Sequence, residues 1–560
     1  MPSLTRWQRR PDTATAVVLV TVAHVAFRLA MLPGRQGPMN VADETGYLIN
    51  ARVLAGGVPG ALEHATFYRG GYSALLLPAL WLGDTPTEQY RLALATNAVL
   101  SSLVVPLTYV LLRRVFAVPH RGALSCAAVA AAYPPLVVTT QMAWSESLLA
   151  PLVLALTLAV AAMARKDAQT AAWALLVGAL LGSGWAVHGR FAPIIAAGLA
   201  AVGLVALRRP VALPAALVGL SAVWFPSGLL NDHLRRASWP RAPGADETAL
   251  VLENAGDVDV LSSVLAIGAG QLWYLVVATF GLAALGLAAL SSIVRLGLRE
   301  RVASPPVVAA VFVLTSLTGL LLLSAVFLHS ATRPDHVVYG RYAEVFAPLL
   351  LALGVHRLLR QEGRVREVLA AFVFAGAAIA VFLPYEDGLV SRSPVNWLTV
   401  LALPPLAQTR EQISPVLALL ASGLGAAVIV LLVRRSAVLA MLALTLALAV
   451  SAIAVRLVLL DDEVYDVDVP LHALDGLRDA PVVAYDMAAY SALGLYSYQW
   501  QLGSSSFLLF DSRRDPLPGS EWVIGGTAPL TGAPDGARRV WVQAELGQAV
   551  WRLPRPAPGR

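Results

Sequence analysis

Four short stretches of this chain carry side chains able to do chemistry, and each stands beside a long apolar run. Asp43 and Glu44 are adjacent in Met39-Asn-Val-Ala-Asp-Glu-Thr-Gly-Tyr47, past the end of the first apolar run. A carboxylate held near a membrane and partly desolvated can act as general base toward a hydroxyl. The same pair also reads as a helix start, with Asp43 capping a short helix through Arg52 and Glu44 in its first turn. The two readings are compatible, because a capped helix could present either carboxylate. Glu146, in Trp144-Ser-Glu-Ser147, opens another apolar run and has the same double reading. Its connection is short enough to keep it close to the membrane, where a central charge costs about 2.5–3.5 kcal/mol. It should therefore face protein or a water-filled cavity.

Basic residues share that setting. His188-Gly189-Arg190 fills a short turn between two runs, and Val338-Tyr-Gly-Arg-Tyr-Ala-Glu344 leads into a late one. An Arg at such a place binds a phosphate as a bidentate partner. Tyr339, Arg341 and Tyr342 equally fit an interfacial belt. Arg69 and Arg333 add positive charge. His24 and Arg28, one turn apart in the first run, are expected to pack or to snorkel outward.

The elements that must hold these residues follow from composition. Hydrophobic residues make up 57% of the 560 and charged ones only 14%, against about 25% charged in a soluble domain. Runs long enough to span a bilayer recur, so the chain reads as a polytopic α-helical membrane protein. The expected spans are 14–32, 92–112, 123–142, 147–164, 171–187, 192–207, 211–229, 271–294, 306–328, 342–358, 368–384, 413–433 and 437–459, about thirteen. The first follows Arg6, Arg9 and Arg10 but is long for a signal peptide, and it is read as a retained span. The net charge of +6 is set by short arginine clusters between runs, which encode orientation rather than nucleic-acid binding. Arg113-Arg114, Arg165-Lys166, Arg208-Arg209, Arg295 to Arg301, Arg357 to Arg366 and Arg434-Arg435 occupy every second connection. They and the N-terminus are expected inside the cell. Connections 33–91, 143–146, 188–191, 230–270, 329–341 and 385–412, and the tail from 461, are then outside, where nearly all the candidate residues fall. Segments 72–82 and 397–407 are too short to span and are expected to lie in the interface.

Two domains are expected: 1–460 in the membrane, with 33–91 as its first outer loop, and 461–560 as a small extracytoplasmic α/β unit. In the second, Pro481–Tyr485, Ser506–Phe510, Glu521–Ile524 and Arg539–Gln543 read as strands, and Met487–Tyr498 as a helix. Cys126 is the lone cysteine, which excludes an internal disulfide and reads as a buried small residue. There is no P-loop, HExxH or GxSxG motif and no Cys/His metal spacing. Span centres hold few charges, which argues against an ion-coupled carrier.

Taken in order, these motifs resemble the GT-C superfamily of membrane glycosyltransferases, which use lipid-linked sugar donors. The nearest branch is that of protein O-mannosyltransferases, aminoarabinose transferases and actinobacterial arabinofuranosyltransferases. The likeness rests on Asp43-Glu44 opening the first outer loop, and on Tyr68-Arg-Gly-Gly-Tyr72 leading through Tyr90-Arg-Leu to Arg113-Arg-Val-Phe116. Tyr133-Pro134 with Trp144-Ser-Glu146, the Gly189-Arg190 turn and Tyr339-Gly-Arg-Tyr342 complete it. It covers about the first 210 residues and 330–355; the tail matches nothing.

The resemblance implies Asp43 as catalytic base and Glu44 as its partner. The base would deprotonate an acceptor hydroxyl on a glycan, lipid or protein, and the donor would be a polyprenyl-phosphate sugar. Arg341, Arg190, His188 and Arg69 are the candidates for its phosphate, with Glu146, Tyr339 and Tyr342 nearby. A divalent cation is optional in the superfamily, and none is predicted here. Two alternatives stay open: a lipid-linked sugar transporter, and an oligosaccharide ligase or polymerase using a polyprenyl diphosphate. High Ala, Leu, Arg and Gly content is associated with GC-rich bacteria, and the expected setting is the bacterial cell envelope.

Overall fold

The computed structural model describes residues 11–38, 41–62, 65–165, 169–239, 258–360, 364–386, 395–406, 412–460, 475–530 and 532–554. Arg6, Arg9, Arg10 and Lys166 of the expected inner clusters lie outside them. Among the described residues, eleven helices are long and apolar enough to cross a bilayer. A twelfth is added if the bent pair His120–Ala131 and Pro134–Gln141 is one crossing. The shorter apolar helix Thr13–Leu29 precedes them. The bend of 65° falls at Tyr133-Pro134-Pro135, where proline removes backbone donors and pushes the preceding residue out of helix.

Several boundaries differ from the expected ones. The second span begins at Pro86 rather than 92, because Thr85 and Glu88 form a capping box that starts the helix early. Helix Ala212–Ser238 runs well beyond 229, carrying the polar stretch Asn231–Arg236 as helix. Where one span was expected at 271–294, the chain makes two helices, Val258–Val277 and Leu282–Glu300. Phe280 and Gly281 between them have φ of 53° and 79°, a left-handed step that apolar periodicity cannot reveal. The expected span 342–358 is a 3-10 turn, Ala343–Phe346, followed by the 13-residue helix Ala347–Leu359. Segment 72–82 forms two short helices, Gly70–Leu75 and Leu77–Leu82, with Trp81 and Leu82 exposed, as an interfacial segment should be. In segment 397–407 the described residues form two 3-10 turns, Trp397–Thr399 and Pro404–Leu406, with Val400 and Leu401 between them in the core and Pro405 exposed; residue 407 lies outside the described residues.

The connections expected on one face do converge at one end of the bundle. Ala143 N donates to Glu44 of the first loop (2.7 Å), and Gly70 N to Asn231 Oδ1 (2.9 Å). Asn396 N donates to Asp335 Oδ1 (3.1 Å). Arg456 donates to the carbonyls of Met31 (2.8 Å) and Pro33 (2.9 Å). Away from that end, helix Ala437–Leu459 exposes Leu442, Leu446, Val450 and Leu457, an apolar stripe suited to lipid.

The tail folds into one five-stranded sheet: β1 Val482–Asp486, β2 Ser506–Phe510, β3 Trp522–Gly526, β4 Arg538–Gln543 and β5 Gln548–Arg552. Their order is β2-β1-β3-β5-β4, with β1, β2 and β3 parallel and β5 antiparallel to β3 and β4. β5 was not expected. It returns through a tight turn at Gly547, whose φ is 62°. The helix is Ala492–Gln501, later than read, after a 3-10 turn at Met487–Ala489. Its Tyr498 packs with Tyr485, Trp522 and Val550.

Candidate active site

Asp43 and Glu44 stand in the first turn of helix Val41–Leu54, where negative charge meets the positive end of the helix dipole. Asp43 is therefore the third helical residue rather than the cap: the helix begins three residues earlier than read. Consecutive residues on a helix point about 100° apart, and the two carboxylates go to different places. Glu44 is buried, accepting from Tyr90 OH (2.7 Å) and Ala143 N (2.7 Å). Tyr90 in turn accepts from Arg35 (3.2 Å). Glu44 ties the first loop to the bundle.

Asp43 enters a chain of charges. Its Oδ1 accepts from Tyr68 OH (2.7 Å) and its Oδ2 from Arg341 Nη1 (2.7 Å). Arg341 Nε donates to Glu146 Oε1 (2.5 Å), and the same oxygen accepts from Arg190 Nη2 (2.9 Å). Glu146 and Arg190 are almost wholly buried, whereas Asp43 and Arg341 keep some exposure. Four residues from four separate connections thus form a neutral alternating quartet, two carboxylates and two guanidiniums. Glu146 opens its helix without capping it; Ser145 is the cap residue and makes no side-chain cap bond.

Aromatic rings line the quartet. The Arg341 guanidinium lies 4.1 Å from the Trp144 ring centroid and that of Arg190 5.1 Å from Tyr342. Tyr342 packs edge-on against Tyr339. Burial opposes a charge on Arg341, but the Glu146 and Asp43 carboxylates outweigh it and keep the guanidinium charged well above its ordinary value. Burial and Asp43 push the Tyr68 hydroxyl up, so it stays a donor. His188 Nδ1 accepts from Arg190 N (3.2 Å). Burial and the Arg190 guanidinium hold its ring well below the ordinary histidine value, so it is neutral at pH 7. The Arg69 guanidinium lies 3.8 Å over the Trp185 ring, which stacks in turn on Trp224.

Two glycines let the backbone come close enough. A Cβ on Gly46 would lie 2.1 Å from the Tyr68 ring, and one on Gly340 would lie 2.1 Å from the Tyr274 ring. The Tyr339–Tyr342 stretch is pinned rather than lying as an interfacial belt. Gly340 N and Arg341 N donate to Thr399 O (3.1 and 3.2 Å), and Thr399 Oγ1 donates to Asp335 (2.9 Å). Arg333 is spent on Asp335 through two hydrogen bonds. Arg28 is buried and donates to Ala131 O (2.8 Å) and to His24, so that pair packs rather than snorkels.

Several residues around the site were not expected to take part in it. Tyr68 holds Asp43. Tyr274 donates to Glu344, which lines a water-sized cavity with Glu146, Arg341 and Thr139. A lone Tyr inside an apolar run is a usable signal, since a buried phenol needs a partner. Pro134, which opens the short helix Pro134–Val138, lines an apolar cavity of about 350 Å3 together with Phe280, Ala402, Leu406, Leu448 and Ala454 among others. Among the described residues, no three His, Cys, Asp or Glu are grouped so as to hold a metal ion.

No family model matches the sequence, and no curated protein does. Solved structures do match in shape. ArnT from Cupriavidus metallidurans bound to undecaprenyl phosphate superposes with a TM-score of 0.56 at 14% identity, covering 96% of this chain and 98% of that one. The same protein in the apo state gives 0.54 at 14%, with the same coverage. At this identity the likeness speaks for the fold. The chain shares its fold with ArnT, and here that fold is a polytopic helical bundle followed by a small C-terminal sheet.

Proposed function

We propose that this chain is a glycosyltransferase that moves a sugar from a polyprenyl-phosphate donor to a hydroxyl acceptor on the extracytoplasmic face. One observation carries the reading. Asp43 from the opening loop meets Arg341 from a connection 298 residues away, at the end of the bundle where the other polar connections gather. The apolar cavity beside helix Pro134–Val138 suits the donor's hydrocarbon. The fold shared with ArnT, a structure of which holds undecaprenyl phosphate, agrees with such a donor.

In the proposed reaction, Asp43 accepts the proton of the acceptor hydroxyl, whose oxygen forms a bond to the anomeric carbon. The bond from that carbon to the phosphate oxygen breaks, and polyprenyl phosphate departs with the electron pair. Attack opposite the leaving group inverts the anomeric centre. Charge gathers on the departing phosphate, and Arg341 and Arg190 supply the stabilising donors. Tyr68 orients Asp43, and neutral His188 adds a ring N–H. Glu44 holds the loop in place and takes no part in proton transfer. We place the N-terminus in the cytoplasm and the 461–560 unit outside, following the arginine clusters.

Purified protein in nanodiscs, given a polyprenyl-phosphate sugar and host envelope extract, should transfer the sugar and release polyprenyl phosphate. Release of polyprenyl diphosphate from a diphosphate donor instead would favour a ligase. Movement of intact lipid-linked sugar across vesicles without transfer would favour a transporter.

A further inference from the structure

Arg341 is committed twice in this structure, through Nη1 to Asp43 (2.7 Å) and through Nε to Glu146 (2.5 Å). Pairing with a guanidinium stabilises the charged carboxylate and weakens it as a base, so this arrangement holds the base closed. Yet the quartet also contains an unused donor: Arg190 Nη1 is buried and has no hydrogen-bond partner, an arrangement that costs free energy unless an acceptor arrives. A phosphate group fits that need, since guanidinium forks match its oxygens.

We propose that the Asp43–Arg341 contact is a latch opened by the donor's phosphate, with Glu146 as the positioning residue that keeps both arginines in place during the exchange. The inference rests on the donor reading above and adds to it a role for Glu146 and an order of events. A phosphate monoanion entering a neutral quartet leaves one negative charge in excess. It takes Arg341 from Asp43 and completes Arg190, and the excess falls on Asp43. The base is thereby released only when a donor is bound. Glu146 does not move: one of its oxygens accepts from both arginines, and Ser145, itself held by Tyr47 OH (3.0 Å), borders the other. Trp144 supports the Arg341 guanidinium from one face, leaving the edge toward Asp43 as the direction of swing.

The latch makes binding of the lipid phosphate compete with Asp43. If the open state is about a tenth of the population, removing the competitor tightens apparent binding about tenfold. The test is binding of polyprenyl phosphate, without sugar, to full-length protein in nanodiscs, with polyprenol and inorganic phosphate as controls. Asp43→Asn is expected to bind polyprenyl phosphate about tenfold more tightly than wild type. Glu146→Gln is expected to bind it more weakly, with Glu146→Asp partly restoring affinity. In an Arg341→Ala background the Asp43→Asn gain should vanish, a coupling that a purely structural carboxylate would not show. Equal or weaker binding by folded Asp43→Asn, with wild type binding normally, overturns the latch and leaves the donor reading standing. If Asp43→Asn does not fold, Tyr68→Phe, which loosens Asp43 without removing it, must shift affinity in an Arg341-dependent way, or the latch is overturned. Wild type binding polyprenyl phosphate no better than polyprenol overturns the donor reading itself.

Discussion

At the residue scale the account turns on the unequal work of two adjacent carboxylates. Asp43→Asn should reduce sugar transfer by about 10²–10⁴-fold, the range of a lost general base, while Glu44→Gln should act mainly on stability, because it breaks the bonds from Tyr90 and Ala143. Initial-rate kinetics beside thermal melting separates the two. Arg341→Ala should raise KM for donor far more than KM for acceptor; an effect confined to the acceptor would remove its phosphate role. His188 makes a pH prediction. Its folded-state pKa is depressed, so the unfolded chain binds the extra proton, and stability present above the unfolded value of about 6.5 falls as the medium is acidified below it. Melting of wild type beside His188→Asn between pH 7.5 and 5 isolates that contribution: the wild type should lose more stability on acidification than the variant. The types and neighbourhoods of these residues were legible in the sequence. Their pairing was not, because Asp43 and Arg341 become neighbours only through the path of the whole bundle.

At the scale of elements, the decisive features are breaks rather than runs. The kink at Tyr133-Pro134-Pro135 could be read from proline chemistry. The left-handed step at Phe280-Gly281 could not, and one expected span became two helices. Likewise Ala347–Leu359 is shorter than an apolar run through 358 suggested, because the residues before it turn as a 3-10 helix to aim Arg341 and Glu344 into the site. Gly340 is the most sensitive point of that turn. Gly340→Ala would drive a methyl into the Tyr274 ring. It should cost about 1–3 kcal/mol of stability, as overpacking does, and lower turnover by displacing Arg341. A melting temperature unchanged from wild type would show that the ring gives way freely.

Across the whole molecule, the alternation of arginine clusters and the gathering of the polar connections at one end tell the same story from different sides. The C-terminal sheet reaches that end through Arg52, which closes helix Val41–Leu54 and donates to Gln499 O (2.8 Å), while Gln499 clasps the backbone of Ala61 (2.7 Å from its N–H). The helix whose first turn carries Asp43 is thus held at its far end by the C-terminal unit through Gln499. Arg52→Ala should make that unit more sensitive to limited proteolysis and reduce transfer without altering polyprenyl phosphate binding. Four of this unit's five strands were legible in the sequence and β5 was not, and its docking depends on a long-range contact that no local pattern announces. The central claim is tested most directly by following labelled sugar from a polyprenyl-phosphate donor into host envelope extract, with purified wild-type and Asp43→Asn proteins side by side. We expect transfer by the wild type and none above background by the variant, although both bind polyprenyl phosphate; equal transfer by the two would contradict the account.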